Sequence, residues 1–248
     1  RQLPPRVARM VAYSLNLLGS LSLCYAGTAL QINPGIMLAC RAPLKLGAEL
    51  FGVPGRDGDR EIVSLMIESL RTLGVTAIHL ELGDVGIFRE LMRNVELAEK
   101  DESALFDLIQ QKSVASLKVQ AGQLGLPAKL CEQLVTLPTL CGTSAIIEDA
   151  LELFSGAAQI EARLENLAKL YGAITDRFED IDVYFDLSEL RGYGYHTGLV
   201  FAGCIVGERQ CIAKVGRYEH VGAVFGLART ATCFTMDATD MHGGRADS

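Results

Sequence analysis

Residues 189–201 read ELRGYGYHTGLVF and place an arginine, two tyrosines, a histidine and a threonine among three glycines. The stretch then continues into an apolar run that is typical of a buried strand. Glycine lets a backbone approach a ligand closely, and aromatic rings beside a guanidinium suit a small planar ligand that carries an acidic group. From its composition alone, the stretch is also consistent with a glycine-rich turn before a core strand.

Strand patterns lie on both sides of this loop. Residues 21–32 and 38–51 read as strands, and Asn33-Pro34-Gly35 between them indicates a turn. The two strands are therefore predicted to form an antiparallel hairpin. Later in the chain, strands are predicted over residues 76–82, 183–187, 195–206, 210–214 and 231–236.

Helical patterns occupy the remaining segments. An apolar stripe that ends at Gly19 predicts a first helix, and Asp59 is the expected N-cap of a second helix that ends near Gly74. From residue 84 to about residue 177 the apolar spacing is helical, with breaks at glycines and prolines. Strands, then helices, then strands again indicate an α+β fold built on an antiparallel sheet.

In their order and spacing, three stretches resemble the histidyl-tRNA synthetase family. RGYGYHTG at 191–198 resembles the histidine-specific signature of those enzymes. Its GYxYHTG form is closer to the regulatory subunits of ATP phosphoribosyltransferase, which are paralogues that have lost aminoacylation. Residues 24–52 resemble class II motif 2, and residues 216–237 resemble motif 3. The resemblance implies a class II aminoacyl-tRNA synthetase-like antiparallel sheet flanked by helices, with a helical insertion.

The resemblance also implies how the chain is organised. Residues 1–83 are predicted to form the first part of the synthetase-like core, with the motif 2 region. Residues 84–177 are predicted to form the helical insertion, and residues 178–248 the second part of the core, with the histidine signature and the motif 3-like region. The chain begins inside the region that follows motif 1 in this family, as expected of either a fragment or a divergent homologue.

A histidine-binding site follows from the resemblance, one position at a time. Glu49 matches the acidic residue that accepts the imidazole N–H, and Arg191 matches the signature arginine, whose fork can hold a carboxylate or a phosphate. Tyr195 and His196 occupy the places of the family's tyrosine pair. Without the resemblance, Glu49 is equally consistent with a surface or paired charge, and His196 with a buried, hydrogen-bonded histidine.

Lys45 is the unusual member of this set. It stands where the family has a glutamine that contacts the ligand, and Gln2 stands where an acidic residue meets the ligand's α-ammonium. If Lys45 points inward, Glu49 is expected to hold it charged in an ion pair. Such a pair would occupy the acceptor that the imidazole needs, so weak histidine binding is expected.

Three further positions argue against amino-acid activation. Gln31 and Asn33 stand where motif 2 of a synthetase has an arginine for the α-phosphate of ATP and a glutamate for the adenine. Asp240 stands where motif 3 has its second ATP-binding arginine. A carboxylate repels a triphosphate by up to about 4 kcal/mol per charge pair at 4 Å in an effective dielectric of 20. Neither catalytic residues nor a cofactor are therefore expected.

Composition limits the partners. The formal net charge is -7, and Lys and Arg are scattered, so tRNA is not an expected partner. No apolar run approaches the roughly 20 residues of a membrane-spanning helix, so no membrane association is expected. The seven cysteines are odd in number and form no CxxC pair, which predicts reduced thiols in a cytoplasmic protein. The four histidines lack ligand spacing, so no metal site is expected.

The resemblance implies a regulatory, non-catalytic subunit that activates the catalytic subunit of ATP phosphoribosyltransferase, the first enzyme of histidine biosynthesis. Its implied partners are the short-form catalytic subunit, in a hetero-octamer, and histidine as the feedback inhibitor. Two alternatives stay open at this point. One is a truncated or divergent histidyl-tRNA synthetase, and the other is a stand-alone histidine-binding module.

Overall fold

The computed structural model describes residues 4–15, 19–29, 42–190, 196–206, 211–218 and 229–238. Within them the chain forms helices and strands in an order that confirms the predicted α+β class. The helices are α1 (Pro4–Met10), α2 (Arg56–Thr72), α3 (Val85–Met92), α4 (Glu99–Gln110), α5 (Val114–Gln123), α6 (Ala128–Thr136), α7 (Ile146–Leu153) and α8 (Ala158–Thr175). The strands are β1 (Leu21–Thr28), β2 (Leu44–Phe51), β3 (Ile78–Asp84), β4 (Cys141–Gly142), β5 (Asp182–Asp186), β6 (Leu199–Ile205), β7 (Cys211–Tyr218) and β8 (Ala231–Asp237).

The chain divides into two compact units. The first contains residues 1–80, 195–197 and 201–248, and the second contains residues 81–194 and 198–200. Strands β3 and β6 each contribute residues to both units.

The sheet of the first unit has the strand order β1-β2-β8-β7-β6. β1 and β2 form the predicted antiparallel pair, and the predicted turn at 33–35 lies outside the described residues. β2 and β7 each pair antiparallel with β8, so that Cys233 lies between Glu49 on one side and Gly216 on the other. Because side chains alternate along a strand, these residues share one face of the sheet, here called the Glu49 face.

Helix α2 covers the opposite face of this sheet. Ile62, Met66 and Leu70 recur at helical spacing and are completely or almost completely buried. A Cβ atom at Gly203 in β6 would lie 3.0 Å from Leu70 Cδ1 and 3.1 Å from Met66 Cε. The absence of a side chain at Gly203 therefore allows the helix to approach the strand closely.

Asp59 does not have the predicted role of N-cap. Helix α2 begins at Arg56, one turn earlier, and Asp59 lies inside it. Its carboxylate accepts from Arg217 Nη2 at 2.7 Å and from Thr232 Oγ1 at 3.2 Å. The prediction was wrong because these two partners lie far away in the sequence, in β7 and β8, and they hold Asp59 against the sheet.

Helix α1, which the sequence predicted, packs on one end of the Glu49 face. Val7 and Val11 join a buried cluster with Phe51, Tyr218 and Cys233. A π-helical turn, Val11–Leu15, continues α1 toward β1.

The second unit contains the predicted run of short helices, α3 to α8, and the strand pair β4–β5. Asp84 caps α3, because its Oδ1 accepts from Gly86 N at 2.7 Å. The same carboxylate accepts from Arg163 Nη1 of α8, at 3.1 Å and 3.3 Å. One buried aspartate therefore ends a strand, starts a helix and holds a second helix.

The cysteines differ from the prediction. Cys204 in β6 and Cys211 in β7 form a disulfide, with their Cα atoms 3.9 Å apart. The prediction that all seven thiols are reduced is therefore wrong for this pair, because neighbouring strands bring the two residues together. Free thiols among the described residues are those of Cys24, Cys131, Cys141 and Cys233.

In the part of the chain that the structure describes, no helix has the length and apolar character that a membrane crossing requires.

Candidate functional site

The candidate site lies on the Glu49 face of the first unit, where the strand register sets its residues in rows. Glu49, Cys233 and Gly216 form the central row. A second row lies two positions further along each strand and contains Tyr25, Gly47, Thr235 and Lys214. A third row begins with Lys45 and Asp237. Neighbouring rows on one face are about 7 Å apart, so the three rows span a surface suited to a small molecule.

Glu49 is a fully buried carboxyl group with one oxygen in use. Its relative exposure is 0%, and its Oε2 accepts a hydrogen bond from the Tyr218 hydroxyl. Its Oε1 is buried and has no hydrogen-bond partner among the described residues. Burial raises the pKa of Glu49 to about 8, and the hydrogen bond from Tyr218 opposes that shift. The site therefore contains one buried carboxyl oxygen without a hydrogen-bond donor. Because such an oxygen is costly to leave unpaired, a ligand that supplies a donor should bind there favourably.

His196 lies against the same face. A Cβ atom built on Gly216 would fall 2.2 Å from His196 Nδ1 and 2.5 Å from His196 Cε1, so the imidazole occupies the space that a side chain at Gly216 would fill. Thr197 N donates to Arg217 O at 2.9 Å, which fixes the segment after His196 to β7. Gly216 and Glu49 are two strands apart, about 10 Å, so His196 and Glu49 stand on opposite sides of Cys233.

Tyr25 covers the second row. A Cβ atom at Gly47 would lie 2.5 Å from the Tyr25 ring, so the ring crosses directly over this glycine. The Tyr25 hydroxyl shares a hydrogen bond with Thr235 Oγ1 on the same face, and burial raises the pKa of this phenol. Tyr25 therefore forms a flat aromatic surface between the Glu49 row and the Lys45 row.

Lys45 does not form the expected pair with Glu49. Its Nζ lies 2.8 Å from Asp237 Oδ2, and both side chains are mostly buried, with exposures of 21% and 14%. The register explains the choice, because Lys45 and Asp237 are direct cross-strand neighbours, whereas Glu49 is two rows away. The unsatisfied oxygen of Glu49 is therefore not occupied by Lys45.

Two of the predicted site residues, Arg191 and Tyr195, lie outside the described residues. The same is true of Gln2, Gln31, Asn33 and Asp240. Of the five predicted site residues, the structure thus brings Glu49, Lys45 and His196 to one face of one sheet.

Three residues that complete this face were missed by reasoning from the sequence. Tyr218 binds Glu49, Tyr25 covers Gly47, and Asp237 pairs with Lys45. Tyr25 lies in a predicted strand and Asp237 directly follows one, so the period of two assigns each of them to a face. Tyr218 lies four residues beyond the predicted strand at 210–214, because β7 is longer than predicted. Which strands are neighbours, however, follows from the fold and not from that period.

Comparison with known proteins identifies the family to which the sequence is similar. The sequence model of the family described as Histidyl-tRNA synthetase matches residues 2–241. Among curated proteins, the chain is 43% identical over 234 residues to an ATP phosphoribosyltransferase regulatory subunit of Pseudomonas aeruginosa. It is 41% identical over 234 residues to the protein of that description from Thioalkalivibrio sulfidiphilus. Each alignment covers 94% of this chain and 59% of the relative, so the chain spans about three fifths of the length of these relatives.

A solved structure extends the similarity to three dimensions. It is described as an ATP phosphoribosyltransferase regulatory subunit/histidyl-tRNA synthetase from Bacillus halodurans C, and it superposes with a TM-score of 0.83 at 26% identity. The superposition covers 97% of this chain and 63% of that one. These similarities confirm both the predicted resemblance and the predicted class II synthetase-like fold.

Proposed function

Since the chain belongs to the histidyl-tRNA synthetase family, we propose that it acts as the regulatory subunit of an ATP phosphoribosyltransferase and binds free histidine on the Glu49 face. The relatives named above carry this description, and the chain aligns with them over almost its whole length. The catalytic partner is the short-form subunit of that enzyme, in a hetero-octamer, and histidine acts on it as feedback inhibitor.

The observation that carries the ligand part of this proposal is the unsatisfied Oε1 of Glu49. A buried acceptor without a donor costs about 1–3 kcal/mol. An imidazole N–H is a single, directional donor of the right size for one carboxyl oxygen. Tyr25 supports this choice, because an aromatic surface beside the carboxyl group suits a flat ring.

The proposal that the chain has no catalytic activity of its own rests on the amino acids at three positions. Gln31 and Asn33 cannot supply the positive and negative charges that a synthetase uses to hold ATP, and Asp240 adds a negative charge where an arginine is needed. Regulation without chemistry requires only that histidine and the partner favour different conformations of the complex. Such coupling is typically about 1–3 kcal/mol.

The ligand is tested by calorimetric titration of the chain with histidine. Glu49→Ala removes the acceptor and is expected to weaken binding by about 1–3 kcal/mol, the scale for leaving a buried hydrogen-bonding group of the ligand without a partner. Glu165→Ala is the matched control, because Glu165 is 59% exposed on α8 and pairs with Lys169 at the surface. Absence of histidine binding by the unaltered chain would remove the ligand from the proposal.

The role is tested by adding the chain to a short-form catalytic subunit and measuring phosphoribosyl transfer with and without histidine. The expected result is a higher rate of phosphoribosyl transfer, which histidine then lowers. Complex formation with unchanged kinetics would contradict regulation. Histidine-dependent exchange of pyrophosphate into ATP by the chain alone would instead support a synthetase.

A further inference from the structure

Among the described residues, the groups around Glu49 do not compensate a negative charge. Tyr218 donates one hydrogen bond, and Lys45 is engaged by Asp237 at 2.8 Å. On α1, the described ionisable side chain is that of Arg9, which is exposed. Arg191 lies outside the described residues. The described titratable groups on the strands and loop of this face are Tyr25, Lys45, Lys214, Tyr218, Cys233, Asp237 and His196.

A carboxylate in this position is unfavourable, because burial removes water from the charge and no described cation contacts it. Desolvation accordingly raises the pKa of Glu49 to about 8 despite the bond from Tyr218. At neutral pH the group is therefore mostly a neutral carboxyl, with an O–H donor as well as acceptor oxygens.

We propose that Glu49 binds its ligand as a neutral carboxyl group, so that Glu49 and the bound ring share a single proton. The site therefore selects rings that contain a hydrogen-bond-accepting nitrogen. This rests on the proposed histidine site. The proton either stays on Glu49, whose O–H donates to the unprotonated ring nitrogen, or moves to that nitrogen and leaves a carboxylate that accepts from it. Both descriptions contain the same number of protons, so near pH 7 binding exchanges none with water.

Because the complex contains this single shared proton, the affinity for histidine should fall at both acidic and alkaline pH. Below the ring's own pKa of about 6.5, the free ligand carries a second proton that it must lose on binding. Above about 8, Glu49 has lost its proton and must regain it. Relative to a maximum near pH 7.2, affinity is expected to fall about eightfold at pH 5.5 and about threefold at pH 8.5.

The test is calorimetric titration with L-histidine and with β-(2-thiazolyl)-L-alanine at pH 5.5, 7.2 and 8.5. The thiazole nitrogen accepts a hydrogen bond but carries no proton across this range. A neutral Glu49 should bind the thiazole at pH 7.2 and bind it about fourfold more weakly at pH 8.5, without the acidic decline that histidine shows. Repeating the pH 7.2 titrations in phosphate and in Tris counts exchanged protons, and a value near zero is expected for histidine.

Two variants separate titration of Glu49 from a merely structural role. Tyr218→Phe removes the donor that favours the carboxylate, so the alkaline decline should move to higher pH. Glu49→Gln cannot titrate, so the alkaline decline should vanish while the acidic decline of histidine stays. Tyr171→Phe, in α8 of the second unit, is the control that should leave both declines in place.

The outcomes also separate this inference from the proposed function. Histidine binding that is equally strong at pH 7.2 and 8.5, with the thiazole excluded at both pH values, would mean an ionised Glu49, and it would overturn the inference alone. If neither ligand binds at any pH, the histidine site itself is refuted, and the inference with it.

Discussion

Replacement of Glu49 by glutamine should change how the stability of the fold depends on pH. The variant keeps the size of the side chain and the oxygen that accepts from Tyr218, but it cannot ionise. The folded-state pKa of Glu49 is raised above its ordinary value of 4.5 to about 8. Its contribution to stability is therefore complete below about pH 4.5, and it is lost as the pH rises through about 8.

The size of this stability change follows from the interval between the unfolded and folded pKa values of Glu49. Each pH unit between the two pKa values corresponds to about 1.36 kcal/mol of free energy of unfolding. Integrated from pH 5.5 to 7.5, the native protein should lose about 2.5 kcal/mol relative to the variant. The buried side-chain amide of the variant lacks a described acceptor for its N–H₂ group and should destabilise the fold by about 1–3 kcal/mol, but equally at both pH values.

Urea unfolding at pH 5.5, 6.5 and 7.5 measures this difference, provided the slope with denaturant is unchanged. Because all other titrating groups are common to both proteins, only the difference between their pH profiles is compared. Glu165→Gln makes the same chemical change at an exposed surface pair and should run parallel to the native protein. Parallel profiles for native protein and Glu49→Gln, within about 0.5 kcal/mol, would show that Glu49 is ionised in the fold and would refute the reasoning.

Two further predictions concern pairs that the structure contains. Lys45→Met and Asp237→Asn, measured singly and together by denaturation, should show a coupling of about 1 kcal/mol, and zero coupling would contradict the pairing. Asp84→Ala should lower the free energy of unfolding by about 3–5 kcal/mol, because it removes the α3 cap and the partner of Arg163 together. The exposed Lys169→Ala is the control and should cost less than about 0.5 kcal/mol. An equally small loss for Asp84→Ala would show that this carboxylate is dispensable.

Local patterns predicted the elements of the fold well. The β1–β2 pair follows from two apolar stretches, and α1 follows from an apolar stripe with helical period. The choice of Glu49 as a candidate site residue came from its match to motif 2, since a lone glutamate in a strand carries no such signal. His196 was singled out by the signature loop, and the structure sets its ring over Gly216.

The errors at Lys45 and Asp59 share one physical cause, which is pairing between residues far apart in the chain. Lys45 and Asp237 are 192 positions apart, and Asp59 and Thr232 are 173 positions apart. A period of two or 3.6 assigns a residue to a face, but it does not say which strand lies next to that face. Lys45 was therefore expected to bind the nearest carboxylate on its own strand, although its cross-strand neighbour is Asp237.

The buried carboxyl group of Glu49, which lowers the stability of the fold at alkaline pH, also explains why the ligand-bound chain should be more stable than the free chain. In the absence of ligand, the fold buries a carboxyl group whose Oε1 finds no donor among the described residues. A ligand that binds only the folded chain raises its stability by RT ln(1 + [L]/Kd). Because ionisation of Glu49 weakens both the empty fold and the proposed complex, histidine should protect the chain from unfolding most effectively near neutral pH. Protection that increased steadily up to pH 8.5 would require an ionised Glu49, and it would contradict the shared proton.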